Sequence, residues 1–132
     1  MTPPLIAALY AGLNALILLW LAAEVISRRR KGRVSHGDGG DGAFAKVIRG
    51  HGNAAETIPM AIILLSLAEL IGAPALALHL AGGAFTLGRA CHALHFTGRA
   101  PFGFRPLGML LTLVSTAILA LGLVAHSLSA ML

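Results

Sequence analysis

The chain has 132 residues, of which 57% are hydrophobic and 11% are charged, and its formal net charge is +5. Soluble domains carry about 25% charged residues. With a mean hydropathy of +0.83, this chain has more apolar surface than a soluble body of its size can bury, so a soluble globular domain is excluded. The single cysteine, Cys91, excludes an intramolecular disulfide framework, and the lack of alternating apolar and polar segments argues against an outer-membrane barrel.

Four apolar runs follow one another along the chain, at residues 5–23, 58–75, 76–96 and 107–128. Each is close to the roughly 20 residues that a spanning helix needs. Gly72 and Pro74 separate the second run from the third and predict a tight helical hairpin, and Pro106 is suited to the first turn of the fourth helix. The sequence therefore predicts one all-α integral membrane domain over residues 1–132, with helices at about 3–27, 45–71, 74–97 and 105–129.

The charges are concentrated in one segment. Eleven of the fifteen Asp, Glu, Lys and Arg residues lie between Glu24 and Glu56. The positive-inside rule assigns this segment, and the later loop that contains Arg99, to the cytoplasm. Both termini are then expected outside. Of the remaining acidic groups, we expect Glu24 to pair with Arg28 and Glu69 to be solvated.

Two polar stripes interrupt the apolar helices near their cytoplasmic ends. One is formed by Arg49, Asn53 and Glu56 on the second helix, and the other by Arg89, His92 and Phe96 on the third, with Arg105 opening the fourth. Guanidinium groups suit carboxylates, a glutamate suits an ammonium group, and an arginine near a thiol lowers the pKa of that thiol. The set therefore fits a small zwitterionic thiol.

Simpler interpretations of these residues stay open at this point. Arg49 and Glu56 could neutralise each other between helices, and interfacial arginines often extend to lipid phosphates. His51, His92 and His95 suggest a metal site only weakly, because no carboxylate or thiolate completes the set. We predict no metal.

The second helix also carries a family signature. The stretch Arg49-x-x-x-Asn53-x-x-Glu56-x-x-Pro59, with a basic segment after the first helix, resembles MAPEG, the membrane-associated proteins in eicosanoid and glutathione metabolism. The loop that begins at Gly37 is similar to that of a bacterial inner-membrane branch of this family. The resemblance covers essentially the whole chain.

This resemblance implies a homotrimer of left-handed four-helix bundles, in which glutathione is the co-substrate and lies between protomers on the cytoplasmic side. It implies that Arg105 stabilises the glutathione thiolate. It also implies a set of residues that hold the tripeptide: Arg29, Arg30, Arg49, Asn53, Glu56, His92 and Phe96. His92 and Phe96 stand where some members carry tyrosines, and Thr57 replaces a further tyrosine.

The expected function is that of a glutathione transferase or peroxidase of the bacterial inner membrane, acting on lipophilic electrophiles or hydroperoxides. The expected partners are membrane lipids, a lipophilic small molecule and two further copies of the chain, without nucleic acid. The missing tyrosines motivate one alternative, a non-catalytic lipid- or partner-binding protein of the same fold. Glu24 and Glu56 motivate another, a small four-helix transporter.

Overall fold

A computed structural model describes residues 3–132 and consists of four α-helices joined by short turns. The helices are α1 (Leu5–Gly32), α2 (Gly42–Leu70), α3 (Ala75–Phe96) and α4 (Phe104–Met131). The prediction of an all-helical chain with four helices is confirmed. Within the described range, every pair of helices is in contact except α1 and α4, which lie on opposite sides of the α2–α3 pair.

The segment between α1 and α2 is more helical than the sequence suggested. α1 continues past residue 27 because arginine and lysine favour helix, and because cations are stabilised at a helix C-terminus. Its C-cap residue, Arg33, has a left-handed backbone conformation (φ 52°). α2 begins before residue 45, because Asp41 Oδ1 accepts hydrogen bonds from the backbone N–H groups of Ala43 (2.8 Å) and Phe44 (3.2 Å).

The hairpin between α2 and α3 is built as its sequence predicts. Gly72 has φ +85°, a left-handed conformation that favours glycine, and Pro74 directly precedes the first residue of α3. Pro106 lies in the first turn of α4. α4 then continues to Met131, a little beyond its predicted end at residue 129.

Three of the helices, α1, α2 and α4, are long and apolar enough to cross a membrane. Many of their large apolar side chains point away from the bundle, including Leu16, Ile63 and Leu121. α3 is not among these three helices, and it carries Arg89 and three histidines. Like α2, it contacts all three other helices, and its polar residues Arg89 and His92 are buried between them.

α3 and α4 approach closely enough for their backbones to touch. A Cβ atom on Gly88 would lie 2.9 Å from the carbonyl oxygen of Gly108, and one on Gly108 would lie 2.7 Å from the carbonyl oxygen of Gly88. Only residues without a side chain allow this crossing. It brings Arg89, the next residue of α3, against Thr112 of α4.

Two expectations about acidic residues are wrong. Glu69 is half-buried rather than fully solvated: its carboxylate accepts hydrogen bonds from the backbone N–H groups of Ile6 (3.0 Å) and Ala7 (2.7 Å), at the start of α1. These N–H groups have no partner within their own helix, and the helix dipole favours a negative charge there. Glu24 pairs with Arg99 (2.6 Å) rather than Arg28, because the α3–α4 turn folds over α1.

Candidate functional site

The predicted stripe on α2 lies at the edge of the bundle. Asn53 is half-buried, whereas Arg49 and Glu56, on either side of it, are exposed. Within residues 3–132 the structure contains no ion pair between Arg49 and Glu56. The simple interpretation, that these two charges neutralise each other, therefore has no support within one chain.

Asn53 is held from inside the bundle by Arg89. The Nη1 atom of Arg89 donates to Asn53 Oδ1 (2.7 Å) and to Thr57 Oγ1 (3.0 Å), and its Nε donates to Thr112 Oγ1 (3.0 Å). The Thr57 hydroxyl in turn donates to the backbone carbonyl of Asn53 (2.8 Å). This network links α2, α3 and α4 at the depth of the predicted site.

Arg89 is a residue that the sequence analysis placed on a polar stripe but did not include in the site. It is only 1% exposed, and its three close hydrogen bonds all go to neutral oxygens. An arginine within an apolar helix costs about 2.5–3.5 kcal/mol on insertion scales. This insertion cost, together with Gly88 directly before Arg89, was the signal in the sequence from which the role of Arg89 could have been predicted. Thr112 carried no comparable signal.

A second group of residues, His92, Phe96 and Arg105, connects α2, α3 and α4 nearer to the end of the bundle at which α3 ends and α4 begins. His92 is buried, and its ring lies 4.5 Å from the ring of Phe96, measured between centroids. Phe96 packs against Gly50 of α2, where any side chain would collide with it. The guanidinium carbon of Arg105 lies 5.8 Å from the centroid of the Phe96 ring, on the exposed side.

Stacking on an aromatic ring leaves the N–H donors in the plane of a guanidinium free. Arg105 is exposed and makes no side-chain hydrogen bond to any residue that the structure describes. A cation held in this way can approach an anionic sulfur atom. The structure therefore brings His92, Phe96 and Arg105 together, next to the α2 turn that precedes Asn53.

The two predicted ligands on α1 are not brought to this group. Arg29 donates to the backbone carbonyls of Ser35 and Gly37, both at 3.2 Å, and its guanidinium lies over the ring of Phe44. It thus supports the α1–α2 turn within its own chain. Arg30 is exposed.

Two cavities lie away from the predicted site. A cavity of about 320 Å³ is lined by apolar residues at the other end of the bundle, among them Leu78, Leu119 and Leu123. A polar crevice of about 560 Å³ lies between the end of α1 and the following turn. Neither is lined by Arg49, Asn53, Glu56 or Arg105. In a single chain the predicted site is therefore an open surface rather than an enclosed pocket.

Comparison with known proteins agrees with the helical arrangement and with the signature on α2. The MAPEG family model matches residues 7–125. Inner membrane protein YecN of Escherichia coli (strain K12) is 38% identical over 117 residues, which are 89% of this chain and 88% of that protein. The protein of the same name from E. coli O6:H1 (strain CFT073) matches to the same extent.

Proposed function

Since this chain belongs to the MAPEG family, we propose that it is a membrane-bound glutathione transferase or peroxidase that activates the glutathione thiol. Three of its helices are apolar enough to cross a membrane and its relatives are inner membrane proteins, so we assign it to the bacterial inner membrane. We further propose that all four helices cross, with the termini outside and the site facing the cytoplasm. α3, with 22 residues, is about 33 Å long and matches the hydrocarbon thickness of about 30 Å.

The observation that carries this proposal is the arrangement of Arg49, Asn53 and Glu56 along one face of α2. The cation and the anion are exposed and unpaired with each other, and the carboxamide between them is held in place. Glu56 lies seven positions after Arg49, which is about 10.5 Å along a helix axis. An extended tripeptide spans about 10–11 Å. Arg49 would bind a carboxylate of glutathione, and Glu56 would bind its ammonium group.

The chemistry would be carried by Arg105. When the glutathione thiol releases its proton to solvent, a guanidinium beside the sulfur stabilises the thiolate and so lowers the pKa of the bound thiol. The thiolate then attacks an electrophilic carbon, forming a carbon–sulfur bond as the leaving group departs with its electron pair. With a hydroperoxide, the thiolate attacks the terminal oxygen to form a sulfenic acid, and the alkoxide departs with the electron pair of the O–O bond and takes up a proton to give the alcohol. A second glutathione then attacks the sulfenic acid, which gives glutathione disulfide and water.

The exposed positions of the site support a homotrimer, with each site closed by a neighbouring chain. Arg49 and Glu56 lie on the outside of the single bundle, as does Arg30 at the end of α1. Gly12 on α1 has no atom within 4 Å of an ideal Cβ, and Ala8 is exposed. Small residues on an outer helix face allow close contact between helices in lipid. A mass of three chains for the solubilised protein is the expected result.

A non-catalytic binding protein of the same fold is the second candidate. It is favoured by Phe96, whose ring provides no hydroxyl, and by Thr57, whose hydroxyl is already used within the chain. The third candidate, a transporter, needs a carboxylate that is free to exchange protons. Glu24 is instead paired with Arg99, so of the two carboxylates that motivated this candidate only the exposed Glu56 is without an ion pair within residues 3–132.

The test is a titration of the purified, detergent-solubilised protein with glutathione, following the ultraviolet absorbance of the thiolate. We expect thiolate in the wild type, loss of it in Arg105→Ala, and no change in Lys31→Ala. The last variant removes an exposed cation of the basic segment outside the proposed ligand set. Binding without thiolate in the wild type would favour the non-catalytic candidate. Absence of binding would remove the reason to call the protein an enzyme.

A further inference from the structure

The hydrogen bonds of Arg89 determine which end of the Asn53 carboxamide faces outward. A guanidinium has only N–H donors, so the Asn53 atom that faces it must be the carbonyl oxygen. The distance of 2.7 Å from Nη1 to Oδ1 is that of a short, charge-assisted hydrogen bond. Nδ2 of Asn53 has no hydrogen-bond partner within residues 3–132 and is not enclosed. It is therefore available on the outer face of α2.

Two further contacts prevent the carboxamide from turning over. Thr57 accepts a hydrogen bond from the same Nη1 atom and donates its own proton to the backbone of Asn53. Thr112 holds Nε, and its hydroxyl donates to the backbone carbonyl of Gly108 (2.7 Å). If the carboxamide turned over, two N–H donors would face each other in the interior of the bundle. A buried donor without a partner destabilises that orientation.

We infer that Arg89 is a positioning residue, which holds Asn53 so that Nδ2 donates to a carboxylate oxygen of the ligand. The identity of that ligand as glutathione rests on the proposed function. Arg89 itself does not touch the ligand, because it is enclosed by α2, α3 and α4. The outer face of α2 then presents a guanidinium and an amide N–H pair, both suited to a carboxylate, next to the carboxylate of Glu56.

The variant Asn53→Asp tests two consequences of this arrangement separately, one for the stability of the protein and one for ligand binding. Aspartate has nearly the same shape, cannot donate, and places a negative charge against a buried guanidinium that otherwise has only neutral partners. We expect a higher Tm than in the wild type, because a buried cation gains a counter-ion. We also expect the Kd for glutathione to rise at least tenfold, because a carboxylate of the ligand then meets a carboxylate instead of an N–H group.

Asn14 provides the matched control, because it is a buried asparagine in the opposite half of the bundle. It is fully buried, and its Nδ2 donates to the Tyr10 carbonyl (2.8 Å) and to Thr86 Oγ1 (2.7 Å). Aspartate at this position loses both donors and has only neutral oxygens in their place. We therefore expect Asn14→Asp to lower Tm, the opposite sign from Asn53→Asp.

The variant Arg89→Gln tests positioning against a general loss of structure. Glutamine can donate or accept, so it no longer fixes the orientation of Asn53. We expect the Kd for glutathione to rise about tenfold, whereas the thiolate absorbance at saturating glutathione is retained, because Arg105 provides the cation. A purely structural role for Arg89 would reduce the thiolate signal as well.

Each result counts for or against the inference. An Asn53→Asp variant that is less stable than the wild type, or that binds glutathione equally tightly, would overturn it. So would loss of the thiolate signal in Arg89→Gln. If the wild type itself bound no glutathione, the proposed function would fail together with the ligand part of the inference. The order of the Tm values for wild type, Asn53→Asp and Asn14→Asp would still decide whether Arg89 holds the carbonyl oxygen of Asn53.

Discussion

Substitution of Gly88 by alanine tests whether the α3–α4 crossing holds the polar layer together. The new methyl group would lie 2.9 Å from the Gly108 carbonyl oxygen, 2.9 Å from Leu111 Cβ and 3.1 Å from the Thr112 backbone nitrogen. These are main-chain atoms and a Cβ atom, which cannot move without moving α4. The two helices must therefore separate by several tenths of an ångström, which also lengthens the 3.0 Å hydrogen bond from Arg89 to Thr112.

The expected cost is about 1–3 kcal/mol for overpacking, with about 1.5–3 kcal/mol more if this hydrogen bond from a charged donor is lost. In a helix, alanine is more favourable than glycine by about 1 kcal/mol, so the control variant must also replace a helical glycine by alanine. Gly122→Ala does so, because Gly122 lies on α4 with no atom within 4 Å of its Cβ position. Thermal unfolding in one detergent should show Gly88→Ala to be less stable than Gly122→Ala. Equal stability of the two variants would refute the close crossing.

Three further predictions concern residues away from that crossing. Glu69→Gln removes the charge that caps α1, so we expect a loss of about 0.5–2 kcal/mol and faster hydrogen exchange in the first turn of α1; unchanged exchange there would contradict the cap. Glu24→Gln breaks an ion pair whose arginine, Arg99, is 49% exposed, so the loss should stay below about 1 kcal/mol and shrink in high salt; a larger, salt-independent loss would indicate a buried role. Cys91 is 6% exposed, so a maleimide should label the folded protein much more slowly than the unfolded protein, and equal rates would show that α3 is not enclosed.

The helices and their order could be predicted from the sequence because hydropathy and length determine them in lipid. The hairpin at Gly72 and Pro74 follows from backbone preferences that act within four residues. The helix ends near Gly32 and Gly42 were less predictable, because a cap such as Asp41 extends a helix beyond its apolar part. The partners of Glu24 and Glu69 depend on which helices lie side by side, and spacing along one helix does not determine that.

The candidate site was predicted unevenly for a similar reason. Arg49, Asn53 and Glu56 share one face of one helix, so their spacing alone grouped them. Arg89 on α3 acts on Asn53 of the neighbouring helix α2, so spacing along one helix does not reveal the contact. The hydroxyls that complete its network belong to threonines, which are common in any apolar helix. The expected ligand, the thiolate role of Arg105 and the trimer came with the family resemblance, and they stay predictions.

The polarity of α3 and its position in the bundle have a common explanation. α3 carries an arginine and three histidines, and it packs against α1, α2 and α4. Glycines at positions 82 and 88 allow α1 and α4 to approach it, so lipid has less access to its polar face. The cost of inserting Arg89 is then offset by the hydrogen bonds that Arg89 donates to two hydroxyl groups and one carboxamide oxygen. The same packing that encloses Arg89 fixes Asn53 at the outer face of α2, where the proposed ligand would bind.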